Sequence, residues 1–228
     1  FRLALALDPF YEKAFTNLLL LSQYAGHLSQ AEVQALHREF GDRFEAPFRG
    51  KARPSFPPHA AGVPLRVGFV SADFRDHIVA RNALPLLREL DRKQVEAICY
   101  SVTEREDGVT KEFRELAAGW ADCRTMTDDE MADRVKEDRI DILVDLACHS
   151  SGNRMMVFAH RPAPVQASWV GYLGTTGLLT MDYRMSDELI DPVGHEGEYT
   201  EKTYRLRSYW CYDPRWKTVE PNELPAKK

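Results

Sequence analysis

The sequence predicts an α/β fold: a Rossmann-like, mostly parallel sheet preceded by a helical tail. Three observations carry that expectation. The stretch 65–90 reads as strand, loop and helix, with an apolar run over 65–70, a polar loop over 71–77, and Leu84, Leu87 and Leu90 on one face of an amphipathic pattern. Apolar runs recur after it with helical patterns between them, and that alternation gives parallel strands joined by right-handed crossovers. Pro54, Pro57, Pro58 and Pro64 separate this region from residues 1–48, because proline forbids regular helix and favours an extended path.

Taken in order, residues 1–48 read as helical. Ala4 stands five residues before Pro9, and Phe15, Leu18 and Ala31 follow at the spacings of a tetratricopeptide repeat. Leu19 and Ser22 depart from that pattern, which usually has Gly and Tyr there. The segment resembles the tail of a repeat array; a plain helical hairpin is the alternative, and a single repeat cannot bury its own apolar face. Residues 49–64 are a Pro-rich linker, and the α/β region is expected over 65–228. Further strands are expected at 95–102, 122–126, 140–146, 165–169, 183–185 and 204–206. Helices are expected at 111–118 and 153–160, and Thr127 with Glu130 forms a capping box opening a helix to about Lys136.

The 228 residues suffice for one large domain or a domain plus an appendage. A net charge of −5 without a basic cluster argues against a nucleic-acid partner. No signal peptide and no apolar run of bilayer length occur, so no membrane partner is expected. Cys99, Cys123, Cys148 and Cys211 are widely spaced without a CxxC, which points to reduced thiols in a cytoplasmic protein and to no metal.

Parallel strands bring their carboxyl ends to one rim, where ligands bind. The loops 71–77, 147–154 and 171–177 follow such ends. They offer His77, Asp145, His149, Ser150, Ser151, Thr175 and Thr176, an inventory suited to a polyhydroxylated ligand or to acid/base work on a hydroxyl. His77, His149 and Thr175 are expected to line one cleft. The first loop has neither GxGxxG nor a P-loop, which removes the two commonest nucleotide readings. Each residue has a structural alternative: His77 as a helix cap, Asp145 and His149 as a hydrogen-bonded pair, and Gly174 to Gly177 as a tight turn.

Four motifs in order, RVGFVSADFRDH (66–77), DILVDLACHSSGNR (141–154), RPAPVQASWVGYLGTTG (161–177) and MDYRMSD (181–187), resemble the O-linked N-acetylglucosamine transferase family. The resemblance implies a tetratricopeptide protein with a two-lobed GT-B catalytic region, of which this chain is the N-terminal, acceptor-side lobe. It implies inverting transfer of N-acetylglucosamine from UDP-GlcNAc to Ser/Thr hydroxyls of a protein or peptide acceptor, with no cofactor beyond that donor. His77, Asp145 and His149 take the catalytic positions, and Asp73, Ser151, Gly174, Thr175, Thr176 and Gly177 the substrate-binding ones. The UDP-sugar is expected mainly on a second lobe following Lys228. Three residues depart from the family pattern: Ile78 and Leu173 stand where Pro is usual, and Cys148 where Gly is usual. Two alternatives stay open, O-fucosyl transfer by the same architecture and a non-catalytic protein-binding module. Loss of the facing lobe is expected to expose an apolar patch around Trp169, Tyr172 and Leu173.

Overall fold

The computed structural model describes residues 1–50, 52–57, 60 and 62–213. Pro58 of the linker and the end of the expected lobe, 214–228, lie outside the described residues. The tail folds into α1 (Arg2–Leu7), α2 (Glu12–Ser22) and α3 (Gln30–Phe44), followed by a short 3-10 turn, Ala46–Phe48. The α/β region runs β1 (Leu65–Ser71), α4 (Ile78–Glu89), β2 (Val95–Ser101), α5 (Gly108–Leu116), β3 (Gly119–Asp122), α6 (Asp128–Glu137) and β4 (Ile142–Asp145). It continues with α7 (Met155–Ala159), β5 (Val165–Ser168), β6 (Tyr183–Ser186) and β7 (Lys202–Arg205).

The seven strands form one sheet in the order β3-β2-β1-β4-β5-β6-β7, and every pairing is parallel. β1 is an interior strand, with Val70 opposite Tyr100 on one side and Asp145 on the other. The strand order reverses between β1 and β4, which opens a crevice at their carboxyl ends.

Successive residues of a strand serve opposite faces. Phe69, Ala97, Cys99 and Val144 pack with Leu84 and Leu87 of α4 and Phe113 of α5. Val70, Ile98, Tyr100 and Leu143 pack with α6 and α7, and the same cluster takes in Phe15, Leu19, Phe40 and Phe44 of the tail. The tail therefore buries its apolar face against the sheet domain. Glu45 reinforces the join: its buried carboxylate accepts the N–H groups of Leu179 at 3.1 Å and Thr180 at 2.6 Å.

The third strand departs from expectation, at Gly119–Asp122 rather than 122–126. Ala118 N–H already donates to Ala97 O, so pairing begins where helix was expected. Cys123 continues it by donating to Ser101 O, and the chain then turns, with Met126 N–H on Cys123 O, into the Thr127–Glu130 capping box of α6. The expected apolar patch also fails to form as drawn. Trp169 is buried and donates its indole N–H to Tyr209 O, Tyr172 is half-buried against the tail, and only Leu173 is exposed.

At one point the tail meets the sheet domain through bare backbone. A Cβ at Gly41 would lie 1.8 Å from Gly177 O, and one at Gly177 would lie 2.0 Å from His37 O. Gly177 also has φ +78, which an L side chain rarely adopts. Gly26, in the turn between α2 and α3, has nothing within 4 Å of such an atom. Gly41→Ala is therefore expected to cost about 3 kcal/mol through overpacking, whereas Gly26→Ala stays within about 0.5 kcal/mol of the parent. Urea denaturation of both variants checks this; equal midpoints would refute a close-packed join.

Candidate active site

The crevice at the β1/β4 reversal has a volume of about 470 Å³ and is walled by the loops after β1, β2, β4 and β5. Asp73, Arg75 and His77 come from the first, Glu104 and Arg105 from the second, Ser150, Ser151 and Gly152 from the third, and Val170 and Gly171 from the last. Two loops meet tightly here: a Cβ at Gly152, φ +77, would lie 2.6 Å from that of Ala72. Cys148 at φ 48 and Val170 at φ 67 are left-handed without being glycine. For a β-branched residue that is an outlier, and such strain of about 1–3 kcal/mol gathers at functional sites.

His77 is the N-cap of α4, with Nδ1 3.3 Å from Val79 N–H. Its capping role and its place on the crevice wall thus coincide. Asp73 is buried at 7% exposure, with Oδ1 accepting from Arg75 at 3.0 Å and Oδ2 3.5 Å from His77 Nδ1. Ile78, the first helical residue, lies on the same wall, and a first-turn N–H needs no intrahelical acceptor, so Ile and Pro are both compatible there. Ser151 is exposed at the rim.

Asp145, His149 and the residues of 174–177 do not line this crevice, which corrects the single-cleft expectation. Asp145 is fully buried, and its carboxylate accepts the N–H groups of Ala147 at 3.2 Å and Cys148 at 2.5 Å. Burial pushes its carboxyl up to about 7, against those two donors, which pull it down. His149 is also fully buried, and donates from Nε2 to Thr176 O at 2.9 Å. Its Nδ1 is then a bare acceptor, buried and without a hydrogen-bond partner among the described residues. The rings of His37, Phe40 and Tyr172 enclose it, with centroids 5.4, 4.8 and 5.4 Å away.

Thr175 and Thr176 are bound to Glu201, a buried residue that the sequence reading overlooked. Glu201 accepts from Thr175 Oγ1 at 2.7 Å, from Thr176 N–H at 2.6 Å and from the Thr176 hydroxyl. Gly174 borders a second, smaller hollow of about 220 Å³ between α3 and this loop, with Thr175 and His37. Gly177 lies under α3. Leu173 is exposed, and its carbonyl accepts from Arg184 at 2.6 Å. His37 and Glu45 were also missed, and Tyr172 was expected only in an apolar patch. Each acts on a residue more than a hundred positions away, so no local spacing marks them. Among the described residues no group of three or more His, Cys, Asp or Glu is placed to hold a metal ion, and no helix is long and apolar enough to cross a membrane.

A sequence profile of glycosyl transferase family 41 matches residues 48–217. A protein of Oryza sativa subsp. japonica, named probable UDP-N-acetylglucosamine–peptide N-acetylglucosaminyltransferase SPINDLY, is 35% identical over 219 residues, covering 92% of this chain and 23% of that protein. The probable UDP-N-acetylglucosamine–peptide N-acetylglucosaminyltransferase SEC of Arabidopsis thaliana is 31% identical over 192 residues, 77% of this chain and 20% of its own length. Among solved structures, a mutant O-GlcNAc transferase of Thermobaculum terrenum matches with a TM-score of 0.85 at 35% identity, over 91% of this chain and 40% of that one. The chain thus spans about a quarter of the length of the curated relatives it matches.

The buried histidines give the fold a pH signature. Burial pulls His37 down to about 4, and burial together with His37 pulls His149 down to about 3, from 6.5 in both cases. Between pH 6.5 and about 4 the unfolded chain binds a proton at His37 that the folded chain does not. Stability is therefore complete above pH 6.5 and falls with acidification, by about 1.4 kcal/mol per pH unit for that residue. Asp145, raised in the fold from 3.8 to about 7, acts in the opposite direction across this whole window but is common to parent and variant. His37→Gln is expected to flatten the stability–pH curve over 4–6.5 by about that slope, read from urea midpoints at several pH values. Parallel curves would mean that His37 titrates normally in the fold.

Proposed function

The chain belongs to glycosyl transferase family 41, and on that premise we propose that its crevice is the acceptor side of an active site moving N-acetylglucosamine from UDP-GlcNAc to Ser/Thr hydroxyls of proteins. The observation that carries the reading is His77, an imidazole at the switch-point crevice on the N-cap of α4. Its Nε2 accepts the proton of the acceptor hydroxyl. The freed oxygen forms a bond to the anomeric carbon from the face opposite the diphosphate, and the carbon–oxygen bond to UDP breaks with its electron pair leaving on the nucleotide. The configuration inverts. Of the residues expected to bind substrate, Ser151 and Asp73 line this crevice, Ser151 at the rim and Asp73 on the wall. Asp145, His149, Thr175 and Thr176 hold the loops that shape the crevice.

Residues 1–48 are read as the end of a tetratricopeptide array, 49–64 as a linker and 65–228 as the N-terminal lobe. The α2–α3 hairpin sharing Phe15, Leu19, Phe40 and Phe44 supports the first of these. The free thiols of all four cysteines fit a cytoplasmic setting. The nucleotide is assigned mainly to a second lobe, because Arg75 of this crevice is paired with Asp73 at 3.0 Å and the lining sets two acidic residues, Asp73 and Glu104, against Arg75 and Arg105. A diphosphate needs oriented N–H donors or uncompensated cations.

The test is sugar transfer by the intact protein to an acceptor peptide, with UDP-GlcNAc and GDP-fucose offered in parallel. Transfer from UDP-GlcNAc that falls about 10²- to 10⁴-fold in His77→Ala is expected; transfer from GDP-fucose instead would move the donor assignment, and none from either would favour a binding module. Residues 1–228 alone are expected to show no micromolar binding of UDP-GlcNAc by calorimetry.

A further inference from the structure

We infer that Asp73 is a positioning residue that selects the reactive tautomer of His77, rather than a substrate contact. The inference rests on the reading of His77 as the proton acceptor. Two groups compete for His77 Nδ1. Val79 N–H, 3.3 Å away, requires Nδ1 to accept; Asp73 Oδ2, 3.5 Å away, requires it to donate. One nitrogen of a neutral imidazole cannot do both. The accepting form puts the proton on Nε2, which then cannot take one from a hydroxyl. The donating form leaves the Nε2 lone pair available.

The surroundings favour the donating form. Asp73 is held by two hydrogen bonds, its N–H donating to Ser71 Oγ at 2.9 Å and Oδ1 accepting from Arg75 at 3.0 Å, and the residue is only 7% exposed. Oδ2 is the oxygen left for His77. At 3.5 Å the carboxylate is in ion-pair reach of Nδ1 rather than hydrogen-bonded to it, and a hydrogen bond to a carboxylate, once closed, is about twice as strong as one between neutral groups. Val79 N–H, at the second position of α4, is a first-turn donor without an intrahelical acceptor, and Val79, though only 3% exposed, lines the crevice. When Nε2 takes the acceptor proton, the resulting imidazolium stands beside the same carboxylate, which stabilises it without itself being protonated. Arg75 holds the carboxylate from its own loop, and Glu104 and Arg105, from the loop after β2, are the other charged groups lining the crevice.

Asp73→Asn preserves shape but offers Nδ1 an amide N–H, which locks the proton on Nε2. In the intact protein it is expected to lower kcat about 100-fold or more with little change in KM, and to move the acidic limb of the pH–rate profile. Asp73→Glu should recover part of the loss. Nitrogen-15 shifts of His77 in the parent chain supply a measurement independent of any variant: a proton on Nδ1 supports the inference, and a proton on Nε2 overturns it. If His77→Ala abolishes transfer while Asp73→Asn keeps kcat and the pH profile, the inference fails and the function stands. If His77→Ala transfers sugar normally, the functional reading itself fails.

Discussion

The structure depends on the approach of α3 to the loop 171–177. Gly41 and Gly177 meet with no room for a side chain on either. Around that point the tail and the sheet domain share a single apolar cluster, running from Phe15 and Phe40 to Val70 and Leu143. A helical hairpin alone could not bury those phenylalanines, and the open face of a sheet needs a cover. Each supplies what the other lacks, so the tail behaves as part of the fold.

That contact decides which polar groups can face a ligand. α3 lies over Gly177, and Glu201 holds Thr175 and Thr176 from the strand side. The loop is gripped from both directions, and its hydroxyls point into the protein. His149 is enclosed for the same reason, between His37, Phe40 and Tyr172. Burying neutral imidazoles is tolerable only because each has a backbone carbonyl for its N–H, Val33 for one and Thr176 for the other. The outward-facing chemistry is left to the loop after β1, with the rims of β2, β4 and β5 forming its walls.

Much of the fold was legible because it is written locally. The alternation of Phe69 and Val70 between two faces, the capping box at Thr127 and the N-cap at His77 are each decided within a few residues. The third strand was misplaced because neither DCRTM (122–126) nor GWAD (119–122) is long or apolar enough to stand out locally, and only the ladder to β2 selects the latter. The site was legible in part. Motif order brought out His77, Asp145 and His149, but direction along a strand end is a matter of which side the neighbours fill. Glu201 and His37 fill it, from distant parts of the chain.

The three departures from the family pattern bear on whether the site has decayed, and their positions argue that they have not altered its polar wall. Ile78 occupies a helix position whose N–H needs no partner, so losing a proline there removes no hydrogen bond and breaks no turn. Cys148 takes a left-handed conformation at φ 48, which explains why glycine suits the position. The strain is accepted with the thiol buried and Asp145 gripping the Cys148 N–H. Leu173 presents its side chain to solvent and its carbonyl to Arg184, a bond that proline would make equally well. A proline-to-leucine change there frees only an N–H. None of the three removes a charge, a hydroxyl or an imidazole from the crevice. The pairing of Asp73 with His77 depends on Ser71 and Arg75, which lie in the β1 strand and its loop, and so is untouched by all of them.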